Sequence, residues 1–138
     1  MLTRAVFAFA LICVFLGPAA AETNVVALGI AAKAVTAEEA GGGEDLPKPK
    51  FNTPAVAYML AADLKKGDAV EIALFKDGKA LMHNAETLAE DKATLLLQAG
   101  KRGVPAGGWP EGRYAANLKI TRDGKTIIEQ TSEAMPFE

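Results

Sequence analysis

Two Asp-Gly dipeptides, Asp77-Gly78 and Asp123-Gly124, each separate two runs of alternating apolar and polar residues, and they constrain this chain more than any other feature. A two-residue hairpin of type I′ needs positive φ at both central positions, and Asp-Gly is one of the few pairs that accept it cheaply. Before the first pair, Val70, Ile72 and Leu74 share one face of Ala69–Lys76, and the chain returns through Lys79–Ala85. Before the second, Tyr114, Ala116, Leu118 and Ile120 alternate with Arg113, Ala115, Asn117 and Lys119, and Thr126–Ser132 returns. Pro54–Leu64 reads as another strand, with Val56, Tyr58, Leu60, Ala62 and Leu64 on the expected core face. The short apolar run Ala93–Gln98 adds one more.

Residues 24 to 40 leave two readings open. A strand from about Val25 to Ala34 would place Val26, Leu28 and Ile30 together, whereas a helix through the Ala-rich stretch would stop at Gly41-Gly42-Gly43. The strand is preferred. Residues 36–53 then form a long connection holding Pro47-Lys48-Pro49-Lys50, charged and without an aromatic before Phe51, which is the composition of a mobile segment. Short strands punctuated by turns, with almost no helix signal, point to an all-β fold, an antiparallel sandwich of six to seven strands. A small closed barrel is the alternative.

The first 21 residues fall outside that pattern. Met1-Leu2-Thr3-Arg4 carries one positive charge, Ala5–Leu16 is apolar, and Ala19-Ala20-Ala21 offers small residues before Glu22. The apolar run is shorter than the roughly 20 residues that span a bilayer, so residues 1–21 read as a cleaved leader for export. Removing them from the 138-residue chain leaves 117 residues and no cysteine, since Cys13 leaves with the leader. A disulfide is thereby excluded and one domain over 22–138 must rely on its hydrophobic core. Arg4 leaves too, so 15 basic residues become 14 against 17 acidic ones. Such a mildly acidic, mixed surface is no footprint for nucleic acid, and no membrane insertion is expected after cleavage.

Chemistry has few candidates. His83 and Ser132, the lone His and the lone Ser of the chain, fall in separate hairpins, which removes a hydrolase triad. Glu38-Glu39, Glu44-Asp45 and Glu90-Asp91 occupy polar connections, and Glu71 faces away from Val70 and Ile72. Met82 and His83, with Met59 and Met135, are soft ligands suited to Cu(I). Neighbouring strand residues point to opposite faces, however, so Met82 and His83 do not ligate together. Gly41-Gly42-Gly43 lacks the Lys-Ser/Thr of a phosphate cradle. The expectation is a protein that is not an enzyme and has no cofactor or metal site.

Gly112, Tyr114 and Ala116, spaced by two and opening a strand, resemble the entry to strand F of immunoglobulin-like domains, with Ala116 where antibody domains carry a cysteine. Trp109-Pro110-Glu111-Gly112-Arg113-Tyr114, followed by a strand, an Asp-Gly turn and a last strand, is similar to the C-terminal hairpin of bacterial extracytoplasmic immunoglobulin-like modules. The resemblance covers about residues 54–138. It implies a tyrosine corner, with the Tyr114 hydroxyl bonded to upstream backbone, and a non-catalytic module for protein binding or assembly in the bacterial periplasm or envelope, or secreted. A periplasmic small-molecule or copper carrier is the alternative. Structural roles fall to Tyr114, Gly112, Asp77, Gly78, Asp123 and Gly124. The binding loop would be Val104–Glu111 with Trp109, Pro110 and Arg113, Trp109 either capping the sandwich or standing exposed as an anchor.

Overall fold

The computed structural model describes residues 22–42, 45–100 and 104–138; the leader reading of residues 1–21 lies outside the described residues. Seven strands run in the order β1 (Asn24–Ala31), β2 (Val56–Leu64), β3 (Ala69–Lys76), β4 (Lys79–Thr87), β5 (Lys92–Gly100), β6 (Tyr114–Arg122) and β7 (Lys125–Thr131), with one short helix, α1 (Ala37–Gly41). They form two sheets rather than one closed barrel, β1-β2-β5 and β4-β3-β6-β7, and every neighbouring pair is antiparallel.

Local chemistry sets the four-stranded sheet. Asp77 and Gly78 have φ of 50° and 83°, Asp123 and Gly124 of 53° and 78°, and the flanking pairs Lys76–Lys79 and Arg122–Lys125 close the two ladders. Both hairpins belong to this sheet, joined where β3 pairs with β6 and sets Val70 opposite Ile120 and Ile72 opposite Leu118. These four side chains are fully buried. They meet Met59 and Ala61 of β2, Ile30 of β1 and Leu97 of β5 from the other sheet. Each large aliphatic so buried contributes about 1.5–3 kcal/mol relative to exposure, which is how a domain without a disulfide is held.

One expected face is reversed. The core receives Ala57, Met59 and Ala61 from β2, not the set Val56, Tyr58, Leu60 and Ala62. Asp63 takes φ of 59° and interrupts the alternation, after which Leu64 is again in the core. Alternation alone was ambiguous because both faces of β2 are apolar, and both are covered. Residues 32–42 fold back across the outer face. Val35 is buried there, its N–H donating to Gln98 Oε1 at 2.8 Å and its carbonyl accepting from Gln98 Nε2 at 3.0 Å. A Cβ on Gly41 would lie 3.1 Å from Leu60 Cδ2, so the strap passes close over that side chain.

The N-terminal strand ends at Ala31, earlier than Ala34, and helix propensity emerges only as α1. Thr36 caps α1 in a reciprocal box with Glu39, the pattern in which two orphan N–H groups are satisfied at once. Residues 36–53 are therefore not one structureless connection. Ala32 N–H donates to Pro47 C=O at 2.8 Å, Pro49 is buried, and Lys50–Thr53 close a turn.

Candidate binding surface

Trp109 organises the end of the sandwich where β6 begins. Its backbone N–H donates to Phe51 C=O and its indole Nε1–H to Thr53 C=O, both at 2.7 Å. The ring meets Tyr114 and Phe137 edge-on, at centroid distances of 6.1 and 5.8 Å, while Tyr114 and Phe137 stack at 3.9 Å. Edge-to-face and offset pairs of this kind add about 0.5–1.5 kcal/mol beyond area burial. Trp109 is only 6% exposed. The exposed-anchor reading of Trp109 is thus corrected to packing: the indole needed a carbonyl partner, and the turn at Phe51–Thr53 supplies it.

The same contacts bring together two loops that are about 55 residues apart in sequence. Gly108, at φ of 90°, permits the approach, since a Cβ there would sit 2.9 Å from the Phe51 carbonyl oxygen and 2.7 Å from its ring. Phe51 lies over Gly108 and stays 49% exposed. Beside it Pro110 is exposed, and its carbonyl accepts the Tyr114 hydroxyl, whose own pKa burial pushes up. Arg113 is exposed as well, but its guanidinium donates to Ala134 C=O at 2.8 Å.

Gly112 and Arg113 then meet the first hairpin. Asp77 N–H donates to Arg113 C=O at 2.8 Å, and Arg113 N–H donates to Asp77 Oδ1 at 3.0 Å. That backbone bond, helped by Lys76, holds the Asp77 carboxyl below the usual range. Gly112 takes φ of 158°, which L side chains rarely adopt, so glycine suits the corner through its backbone conformation, a Cβ there meeting only the side chains of Asp77 and Lys76.

The opposite end is polar. Asp68 is fully buried, and its carboxylate accepts from Arg122 Nε and Nη2, both at 2.8 Å, and from Lys65 N–H at 2.9 Å. The Arg122 bonds hold the Asp68 pKa well below the ordinary aspartate value against the opposing effect of burial. Arg122 also donates to Thr23 Oγ1 at 2.7 Å, which donates in turn to Asp63 C=O. Asp68 closes the stretch Lys65-Lys66-Gly67-Asp68, and nothing in that local pattern singles it out.

The remaining chemistry candidates are dispersed. His83 is exposed on β4, while Ser132 follows β7 and its hydroxyl accepts from Ala116 N–H at 2.8 Å. Those two strands are the outer members of a four-stranded sheet, about 14 Å apart at ordinary strand spacing. Met59 is fully buried, Met82 packs against the core, and Met135 bridges to Tyr114. Among the described residues, no three of His, Cys, Asp and Glu gather closely enough to hold a metal ion. Glu39 is used in the cap of α1 and Asp91 accepts from Lys66 N–H at 2.8 Å. Comparison with protein-family models, with curated proteins and with solved structures found no match to this chain.

Phe51, Pro110 and the aliphatic part of Arg113 are presented on loops that Trp109, Tyr114 and Asp77 fix in place. Phe51 was missed because it follows Pro47-Lys48-Pro49-Lys50 and looked like the end of a solvated linker; an aromatic inside such a polar turn was the available signal.

Proposed function

We propose that this chain is an exported, non-catalytic immunoglobulin-like module that binds or assembles with a protein of the bacterial periplasm or envelope. Two features support the immunoglobulin-like assignment. In sequence order the sheets read 1-2-5 and 4-3-6-7, the arrangement in which β3, β6 and β7 correspond to strands C, F and G and β4 to the added strand C′. Tyr114 opens the strand corresponding to F, and its hydroxyl donates to the carbonyl of Pro110, four residues upstream. The export assignment rests on the leader-like composition of residues 1–21.

The observation that carries the binding role is Phe51, half exposed on a loop that two Trp109 hydrogen bonds hold rigid. A large aromatic held still loses little conformational entropy when it enters a partner's pocket, which is the property of interface anchors. The test is in-cell photocrosslinking with a reactive residue at position 51, compared with position 86 on exposed β4. A dominant envelope-protein adduct from 51 and none from 86 is expected, on protein whose intact mass lacks residues 1–21. Equal labelling at both positions, no adduct at all, or a retained leader overturns the reading.

A further inference from the structure

The outer faces of the two sheets differ. Residues 32–42 cross the face of β1-β2-β5, whereas a trough of about 360 Å³ on the face of β4-β3-β6-β7 is lined only by residues of those four strands. Register explains the trough. One row across the sheet is His83–Ala73–Asn117–Thr131, with the small, buried Ala73 as its floor. On one side Phe75 and Ala80 form an apolar wall, and on the other Glu71, Lys119 and Glu129 stand opposite one another on three strands. Glu71 and Phe75 are four residues apart along β3, which separates the walls by about 13 Å. The volume falls in the ordinary range of small-ligand sites.

Two features equip the trough for a ligand. Asn117 is only 9% exposed, yet its amide is half used: Nδ2 donates to Thr131 Oγ1 at 2.8 Å, and among the described residues nothing donates to Oδ1. A buried polar atom without a partner is rare in folded proteins, because it has lost its water and gained no bond. Lys119 faces a carboxylate on each side in the register, and among the described residues it forms an ion pair with neither. Donors and acceptors therefore alternate along that wall with their polar ends unengaged. An anion meets Glu71 and Glu129 there, and a cation meets Lys119. Among the described residues, His83 and the carboxylates do not gather closely enough to hold a metal ion. A hydroxyl both donates and accepts, so it answers an ammonium, a carboxylate and an amide alike. The opposite wall favours a C–H surface, which can lie on the negative face of the Phe75 ring. We propose that this trough binds a neutral saccharide, its C–H face on Phe75 and its hydroxyls on Asn117, Lys119 and the two carboxylates.

The site shares no residue with the loop that carries Phe51 and stands independently of the docking reading. The test is amide NMR of the isotope-labelled protein titrated to about 10 mM with maltotriose, cellotriose and triacetylchitotriose, all neutral trisaccharides, and with trialanine as a peptide control. The Asn117 side-chain amide and the backbone amides of Ala73 and His83 should shift with at least one saccharide, saturating in the millimolar range, and not with trialanine. Phe75→Ala should weaken that binding about tenfold, the usual loss when an anchoring aromatic is removed. Glu129→Ala should weaken it about threefold, the worth of one hydrogen bond. Glu129 is exposed, so its variant reads the site even where Phe75→Ala loosens the sheet. No shift at these amides with any of the three saccharides, equal shifts with trialanine, or binding that Glu129→Ala leaves unchanged overturns the saccharide site. An envelope-protein adduct at position 51 would still stand in that case, which separates this failure from failure of the module reading.

Discussion

At the start of β6, Tyr114 stacks on Phe137 beneath Trp109; at its end, about 27 Å away by strand rise, Arg122 grips Asp68. The first closure is apolar and uses neutral donors, an indole N–H and a phenol O–H, each satisfied by a backbone carbonyl. The second buries a carboxylate and satisfies it with three donors. The two respond differently to damage. An aromatic plug loses contact area in proportion to what is removed, whereas a buried ion pair that loses one partner leaves an uncompensated charge. What each end holds differs along the same line: the aromatic plug holds the loop that carries Phe51, while the ionic clasp ties Thr23, just before β1, to β6.

The largest loss is expected from Trp109→Ala. Removing a buried indole from contact with two rings should cost about 3–5 kcal/mol in denaturant unfolding, and it frees the Phe51–Thr53 turn as well. Asp68→Ala should follow at about 2–4 kcal/mol, discounted because Arg122 is one-third exposed. A larger loss for Asp68→Ala than for Trp109→Ala would reverse the ranking of the two ends.

Acid and alkali separate the ends further. The folded Asp68 pKa lies below its unfolded value, so its contribution is full above the ordinary aspartate range and disappears as pH falls through the folded value. Tyr114 is shifted up by burial, so the unfolded chain gives up that proton first and stability falls as pH rises above the ordinary tyrosine value. Asp77 and Glu39 also shift down and Tyr58 shifts up, hence single variants are needed. Asp68→Asn should flatten the acid limb of the stability profile and leave the alkaline limb; Tyr114→Phe should do the reverse. Tyr114→Phe should itself cost about 1–2 kcal/mol, the value of a satisfied buried hydroxyl. An unchanged melting curve for it would remove the corner as a fastening.

How much of this was legible depends on the range of the interaction that decides each feature. The Asp-Gly hairpins were readable because turn type is fixed by two adjacent residues, and β6 was readable because one of its faces is solvated only in part and its alternation survives. β2 misled because the strap at Val35 covers its outer face, so apolar residues occur on both sides and the period of two no longer says which is inward. Trp109 was read as packing or, alternatively, docking, and the sequence could not decide it, since its partner, the Thr53 carbonyl, is 56 residues away. Asp68 and Arg122 are 54 residues apart, and the charged, turn-forming stretches that hold them single out neither. Local rules carry no information about such pairs; only the closing of the sandwich brings them together.

Phe51→Ser is the smallest expected effect on stability and the sharpest on function. Half of the ring is already in water, and its contact is with Gly108 rather than the core, so the change should cost less than about 0.5–1 kcal/mol in unfolding. The backbone bond from Trp109 N–H to the residue-51 carbonyl is retained, so the aromatic plug beneath stays assembled. Partner capture, read with a crosslinker at neighbouring exposed Asn52, should nevertheless fall at least tenfold, the usual loss when an anchoring aromatic is removed. Trp109→Phe is the matched control from the other side of the comparison: it leaves the Thr53 carbonyl without its donor, so it should loosen the loop and weaken capture while Phe51 is intact. If Phe51→Ser destabilises the domain as much as Trp109→Phe does, Phe51 belongs to the plug and the aromatic end is a closure alone. If instead capture falls with stability unchanged, rigid support and exposed contact are separate jobs, done by two aromatic residues whose loops touch.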